Sequence, residues 1–232
     1  MPITRFNNQK FSVIYGTKDD KDINGLAEDS GITSLLGLDP ADPHRHVITL
    51  DLQKIPHSRT RVNGHGIILG KHAGFIPSLG MMTADCPGLA VINAADGTIG
   101  LLHLSWLQLY ARTSKKFFRT WAATYPYDPA DLKIFVGPSI CSKCFTLQGW
   151  KGWLRFGLFS LSSSRKFLMR SKAGVRSIDL RGMLRDQLMQ AGFADSQIDF
   201  YPDCTFETAS LSSHRREGKA KTTSNVIILK VS

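Results

Sequence analysis

Three side chains of this sequence combine reactive chemistry with suggestive spacing: His57, Cys86 and His103. Cys86 closes the segment Thr83-Ala84-Asp85-Cys86 and, with Pro87, opens an apolar run that reaches Asn93. After Asp96-Gly97 a second apolar run, Ile99-Gly100-Leu101-Leu102, ends at His103. Antiparallel strands about an Asp-Gly turn bring the start of one and the end of the next to the same edge of a sheet. A cysteine and a histidine at such an edge make either a metal site or a thiolate–imidazole pair. A turn centred on Asp96-Gly97 sets His103 opposite Ala90, so Cys86 is expected in a loop folded back over the edge, with Pro87 interrupting the strand. His57 adds a third soft-to-borderline ligand. Three protein ligands with a fourth position open is the arrangement of a catalytic zinc site, where the cysteine binds as thiolate. Spacing alone leaves both readings open.

These residues need a scaffold. Phe11–Tyr15, Val47–Leu52, Leu132–Val136, Ile198–Tyr201 and Asn225–Val231 read as strands, with further short strands or turns over 62–69 and 74–82. Residues 24–38 suggest a weak helix. The clearest helix spans 105–124: Ser105 is its N-cap, and Trp106, Leu109, Tyr110, Phe117 and Trp121 form one apolar stripe. Arg112, Lys115, Lys116 and Arg119 fall on its other faces as a solvated basic side. Asp179 caps a second helix carrying Leu180, Met183, Leu184, Leu188 and Ala191, which Gly192 stops. Strands outnumber helices and the helices flank them, which predicts an α/β (α+β) mixed-sheet sandwich in a single domain over 1–232. Residues 149–176, with Trp150, Trp153 and several basic side chains, read as a variable insertion or basic lid. Gly64-His65-Gly66 with Gly70 has the wrong spacing for a dinucleotide loop and reads as turn chemistry.

Composition narrows the function classes. The chain has 232 residues, 42% of them hydrophobic, enough for a sizeable core. No apolar run reaches the roughly 18 residues a membrane span needs, and the first residues lack an apolar signal region, so a cytoplasmic location is expected. The formal charge is +10, from 29 Lys and Arg against 19 Asp and Glu. The basic residues are spread along the chain and no RNA-binding aromatic signature or zinc-finger spacing accompanies them, which argues against nucleic acid. In such a chain Cys86, Cys141, Cys144 and Cys204 read as free thiols or ligands rather than a disulfide framework. Cys141-Ser142-Lys143-Cys144 is a CxxC, which is not a zinc site without two more ligands; Cys204 is the one candidate to join it.

The sequence resembles the YfiH-type laccase-domain family, also called the polyphenol oxidase or purine nucleoside phosphorylase family, from about residue 45 to the end. His57-Ser58 followed by Val62 is similar to the family's QxHS segment. Thr83-Ala84-Asp85-Cys86-Pro87 matches its TADC motif, and His103 and Trp106 match the first and fourth positions of HAGWRG. The interval from Cys86 to His103 is the family's. Gly137-Pro138-Ser139-Ile140 with Cys144-Phe145 is similar to GPxI…CY. Ile178-Asp179-Leu180 resembles the DL that opens the next helix, and Cys204-Thr205 with Ser213-His214-Arg215-Arg216-Glu217-Gly218 resembles the closing CT…SYRRDG. The resemblance implies that His57, Cys86 and His103 coordinate one zinc ion, with Cys86 and His103 at the catalytic centre and Asp85 orienting a ligand or capping a turn. His65 and His72 compete for the first ligand position; Ser58 and Val62 favour His57.

The resemblance also implies a zinc-dependent purine nucleoside phosphorylase. It would act on adenosine, inosine, guanosine or methylthioadenosine with phosphate, and adenosine deamination is a second activity credited to some members. A copper centre fits less well, because one soft three-ligand site is not the set of His-rich sites a multicopper oxidase needs. There are departures. Ile55 stands where the family has Gln, Glu28-Asp29-Ser30-Gly31 lacks the family's Asn-Arg pair, and His103-Leu104-Ser105-Trp106-Leu107-Gln108 loses both glycines and the arginine of HAGWRG. Arg59, Arg215 and Arg216 are left to hold phosphate. The alternatives are a cysteine hydrolase with Cys86 as nucleophile and His103 as base, a peptidoglycan-editing relative, and a non-catalytic metal-binding member. The oligomeric state is left open.

Overall fold

The computed structural model describes residues 3–7, 11–18, 20, 23–39, 47–49, 60–70, 77–218 and 224–231. In chain order its elements are β1 (Ile3–Asn7), β2 (Phe11–Gly16), α1 (Ile23–Asp29), β3 (Leu35–Asp39), β4 (Val47–Thr49), β5 (Thr60–Asn63), β6 (Gly66–Leu69), β7 (Ser78–Thr83), β8 (Gly88–Asn93) and β9 (Ile99–His103). There follow α2 (Trp106–Tyr110), α3 (Thr113–Thr124), β10 (Leu132–Val136), α4 (Gly149–Ser160), β11 (Leu168–Arg170), β12 (Arg176–Ile178), α5 (Leu180–Gln190), β13 (Ile198–Phe200), α6 (His214–Glu217) and β14 (Asn225–Val231). Among the described residues two six-stranded mixed sheets run β1-β2-β14-β7-β3-β5 and β13-β10-β8-β9-β6-β4, and β11 and β12 form a separate hairpin.

Apolar surface explains the layering. Val13, Tyr15, Leu79, Met81, Ile227 and Leu229 of the first sheet meet Ile67, Leu69, Ala90, Ile92, Ile99 and Leu101 of the second in one core. The alternate residues of the same strands point the other way: Ile14, Val226 and Ile228 pack on Ile23, Leu26 and Ala27 of α1. Leu89, Val91, Leu102 and Ile134 pack on Leu109, Phe117 and Trp121, and on Met183, Leu184 and Leu188 of α5. Strands covered on both faces read as continuous apolar runs, which is what β8, β9 and β14 show. The mixed α/β sandwich flanked by helices is therefore as the sequence pattern predicts.

Two expected helices are differently built. Residues 24–38 divide into α1 and β3, because Leu35, Leu36 and Leu38 fill positions in the first sheet, where β3 pairs in parallel with β5 and β7. The single helix over 105–124 is two. Arg112 takes a left-handed conformation (φ 54°) and the chain turns between α2 and α3. Its apolar stripe still faces the core, with Leu109, Phe117 and Trp121 buried. Ser105 caps α2 as expected, with Gln108 reaching back to the Ser105 amide to complete a capping box. The strand at Val47 is described as far as Thr49, and residues 50–52 lie outside the described set. No described helix is long and apolar enough to cross a membrane.

Candidate active site

The β8–β9 register decides what meets what. His103 pairs with Gly88 and Ile92 with Ile99, so the hairpin is centred on Ala95-Asp96 rather than Asp96-Gly97. The expected pairing of His103 with Ala90 is corrected by two residues. The correction arises in the turn, where Asn93 Oδ1 accepts from the Ala95 amide and Asp96 Oδ1 from the Thr98 amide, widening the loop by side-chain hydrogen bonds. It sets His103 across from a glycine only two residues beyond Cys86.

The loop carrying Cys86 is held from several sides. The amide of Leu104 donates to the Pro87 carbonyl (2.9 Å), that of Gly137 to Gly88 (2.9 Å) and that of Ile140 to Asp85 (3.0 Å). Asp85 has φ 77°, a left-handed conformation unusual outside glycine and found where surrounding structure enforces it. The enforcing contacts are visible. Its buried carboxylate accepts the Thr205 hydroxyl at 2.6 Å on Oδ1 and the Arg215 amide at 2.8 Å on Oδ2. Asp85 thus joins the TADC loop to the Cys204-Thr205 segment and to α6, which Ser213 caps.

His103 has His65, one of the two histidines that compete with His57 in the sequence, as its neighbour. The His103 amide donates to the carbonyl of His65 (2.7 Å), and the two rings stack with centroids 5.7 Å apart and planes 22° apart. Nε2 of Gln108 lies 3.1 Å from Nε2 of His65. Because Oε1 of Gln108 already accepts from the Ser105 amide and hydroxyl, its NH2 is the group that faces Nε2 of His65. Gln108 replaces the last glycine of HAGWRG, so the departure from the family pattern has a structural role here. Nδ1 of His103 is buried with no hydrogen-bond partner among the described residues. Burial, then the neighbouring His65, lowers the His103 pKa to about 4. Burial, then the Asp85 charge, pushes the Cys86 thiol up to about 12.

The arginines divide by how fully they are engaged. Arg216 spends Nη1 on the carbonyls of Thr205, Phe206 and Thr208 and Nη2 on Leu211 and Glu217. Arg215 donates to Thr146 and lies 4.5 Å over the Phe145 ring. Its pKa is lowered by burial and then by the positive charge of Arg155. Arg155, on α4, stacks 4.7 Å over Trp106, the tryptophan of the HAGWRG-like segment. Residues 149–176 therefore bring a guanidinium toward the site; nothing in the sequence of α4 singles it out. His57, Arg59 and His72 lie outside the described residues.

A second group assembles beside these loops. One ligand atom each of Cys141, Cys144, Cys204 and Glu207 lies within 4.8 Å of the others, a set that could hold a metal ion. Cys141-Ser142-Lys143-Cys144 thus has the two further ligands its motif lacks, and Glu207 is the one the sequence did not reveal.

The fold is shared with the crystal structure of Bacillus licheniformis hypothetical protein YfiH at a TM-score of 0.78, with 17% identity over 99% of both chains. Residues 73–230 match the family described as multi-copper polyphenol oxidoreductase laccase. The chain belongs to that family, as its TADC and GPxI segments imply. Two relatives are named purine nucleoside phosphorylase YlmD. The Bacillus subtilis protein is 26% identical over 141 residues, 60% of this chain and 50% of the relative. The Geobacillus stearothermophilus protein is 25% identical over 185 residues, 72% of this chain and 64% of the relative. The matches span between half and two thirds of the length of these relatives.

Proposed function

We propose that this protein is a zinc-dependent purine nucleoside phosphorylase acting in the cytoplasm, with His57, Cys86 and His103 as the metal ligands. The observation that carries the reading is the register that sets His103 opposite Gly88, two residues from Cys86, together with a buried Nδ1 of His103 that has no hydrogen-bond partner among the described residues. A neutral imidazole and a thiol are donors that a borderline dication accepts, and binding releases the thiol proton. The metal would supply Lewis-acid polarisation of a substrate oxygen. The names of the two relatives support the substrate class, a purine nucleoside with phosphate.

The remaining residues divide the work. In the reaction a phosphate oxygen bonds to C1′ as the bond from C1′ to the purine nitrogen breaks, and the base leaves with a proton. Arg155 and Arg215 are two cations close enough to feel each other's charge, and an anion between them relieves that repulsion. They are assigned to phosphate, with Arg155 standing in for the arginine lost at Leu107. Arg59 remains a candidate, and Arg216 shapes the loop that its carbonyl contacts define. Asp85 positions the Cys86 loop through Thr205 and Arg215. The hydrolase alternative needs a Cys86 thiolate beside a His103 imidazolium, and both ionisations are opposed by burial.

The test is phosphate-dependent release of adenine from adenosine, with bound zinc measured on the same preparation. Inosine, guanosine and methylthioadenosine are run alongside, and ammonia release reports deamination. Turnover abolished by Cys86→Ser together with the loss of one zinc equivalent is expected. Zinc at Cys86 without turnover of any nucleoside overturns the phosphorylase and leaves a metal-binding protein.

A further inference from the structure

We propose that Cys141, Cys144, Cys204 and Glu207 form a second, structural zinc site, one that stands whether or not the phosphorylase reading does. The distances suit the metal. Tetrahedral zinc with bonds of about 2.3 Å to sulfur and about 2.1 Å to oxygen holds two sulfurs about 3.8 Å apart and a sulfur and an oxygen about 3.6 Å apart. Sγ of Cys144 lies 3.6 Å from Oε1 of Glu207, and Sγ of Cys141 lies 4.0 Å from Oε2. All four ligand atoms fall within 4.8 Å of one another. Closing on a metal therefore requires movements of about an ångström or less.

The backbone is arranged in the same sense. The ligands come as two pairs, each three residues apart and each across a tight turn. The amides of Cys144 and Phe145 donate to the Cys141 carbonyl (3.1 and 3.0 Å), and the amide of Thr208 donates to Cys204 (3.0 Å). Ser139 and Cys204 form a parallel bridge, which aligns the two turns. The Cys141 amide points at Sγ of Cys204 at 3.2 Å, an N–H···S bond of the kind that stabilises a thiolate. Arg181 fastens both segments from behind. It donates to the Ser139 hydroxyl (3.0 Å) and carbonyl (2.5 Å) on one side and to the carbonyls of Pro202 (3.0 Å) and Asp203 (2.5 Å) on the other. Three thiolates and a carboxylate outweigh the charge of a dication, and this guanidinium offsets part of the excess. Four protein ligands leave no open position, which makes the site structural rather than catalytic.

Its consequence lies one residue away. Thr205 follows Cys204 and gives its hydroxyl to Asp85. A metal clamped on Cys204 therefore fixes the partner of the residue that holds Cys86. A zinc ion bound at this site displaces the protons of the three thiols into solution and oxidises nothing.

The full chain is purified under reductant, stripped with a chelator and titrated with Co²⁺, and the thiolate-to-cobalt absorption is compared between variants. Cys141→Ser/Cys144→Ser is expected to reduce that band to a quarter or less of the wild-type intensity and to bind one zinc equivalent fewer. Cys86→Ser is expected to keep about three quarters of it or more, so loss of the Cys86 metal and loss of this one are told apart. Glu207→Gln, which keeps all three thiols, is expected to weaken cobalt binding at least tenfold. Wild-type protein alone provides a check independent of variant folding: bound zinc shields Cys141, Cys144 and Cys204 from alkylation in peptide mass maps. Equal alkylation with and without zinc, or the same metal content in wild type and the double variant, overturns the proposal.

Discussion

Replacing Asp85 by Asn tests whether the TADC loop is held by the contacts assigned to it. Asn keeps the shape and tolerates the left-handed backbone at φ 77°, so the change isolates the charge and the hydrogen bonds. The carboxylate accepts two donors, the Thr205 hydroxyl at 2.6 Å and the Arg215 amide at 2.8 Å, in a buried setting. Hydrogen bonds to a charged acceptor are worth about 1.5–3 kcal/mol each, against about 1 kcal/mol for neutral pairs. An amide can serve the Arg215 N–H with its oxygen while the Thr205 hydroxyl turns to accept from its NH2, so both bonds survive in weaker form. The expected loss is about 2–3 kcal/mol, or roughly 5–10 °C in melting temperature for a chain of this size. Asp85→Ala orphans both buried donors and adds backbone strain, and is expected to lose about 4–6 kcal/mol. Urea unfolding of metal-free protein measures both, and a double-mutant cycle with Thr205→Val should return a coupling above about 1 kcal/mol. Asp85→Asn within about 0.5 kcal/mol of wild type, or Asp85→Ala no worse than Asp85→Asn, would refute the reasoning.

Two further outcomes follow from the core around the site. The folded-state pKa of His103, about 4, lies below its ordinary value of 6.5, so the unfolded chain binds the proton first. Stability from this group is whole above about pH 6.5 and is lost as pH falls toward 4, by roughly 3 kcal/mol in total. Urea midpoints of chelator-treated protein across that window should fall less in His103→Asn than in wild type; an equal fall removes His103 as the cause. A Cβ at Gly100 would stand 2.7 Å from the Trp121 ring and 2.8 Å from Phe117, so Gly100→Ala should cost about 1–3 kcal/mol. A stabilised or unchanged variant in thermal melts contradicts that packing.

Sequence by itself determined the layered α/β class, because strand patterns outnumber helix patterns and the helices fall among them, an order that only stacked layers accommodate. It determined the termini of β10, α5 and β14 to within a residue, since Gly137-Pro138, Asp179 with Gly192, and Asn225 act locally. The TADC, GPxI and CT segments named the family, because each is a short string whose residues serve one loop. Tertiary structure decided what those strings touch. Asp85 finds Thr205 across 120 positions of chain and Arg215 across 130, and no local pattern encodes such a partner. His65 read as part of a turn and as a rival to His57, and its stacking on His103 was not legible because it depends on the β6–β9 pairing. The break at Arg112 was hidden because the apolar stripe keeps its spacing through it. Cys141-Ser142-Lys143-Cys144 carried half a ligand set in plain view; the parallel bridge from Ser139 to Cys204 supplies the other half. Spacing along the chain fixes distances only within a turn or a hairpin, and every longer approach in this protein is set by which apolar faces the sandwich buries together.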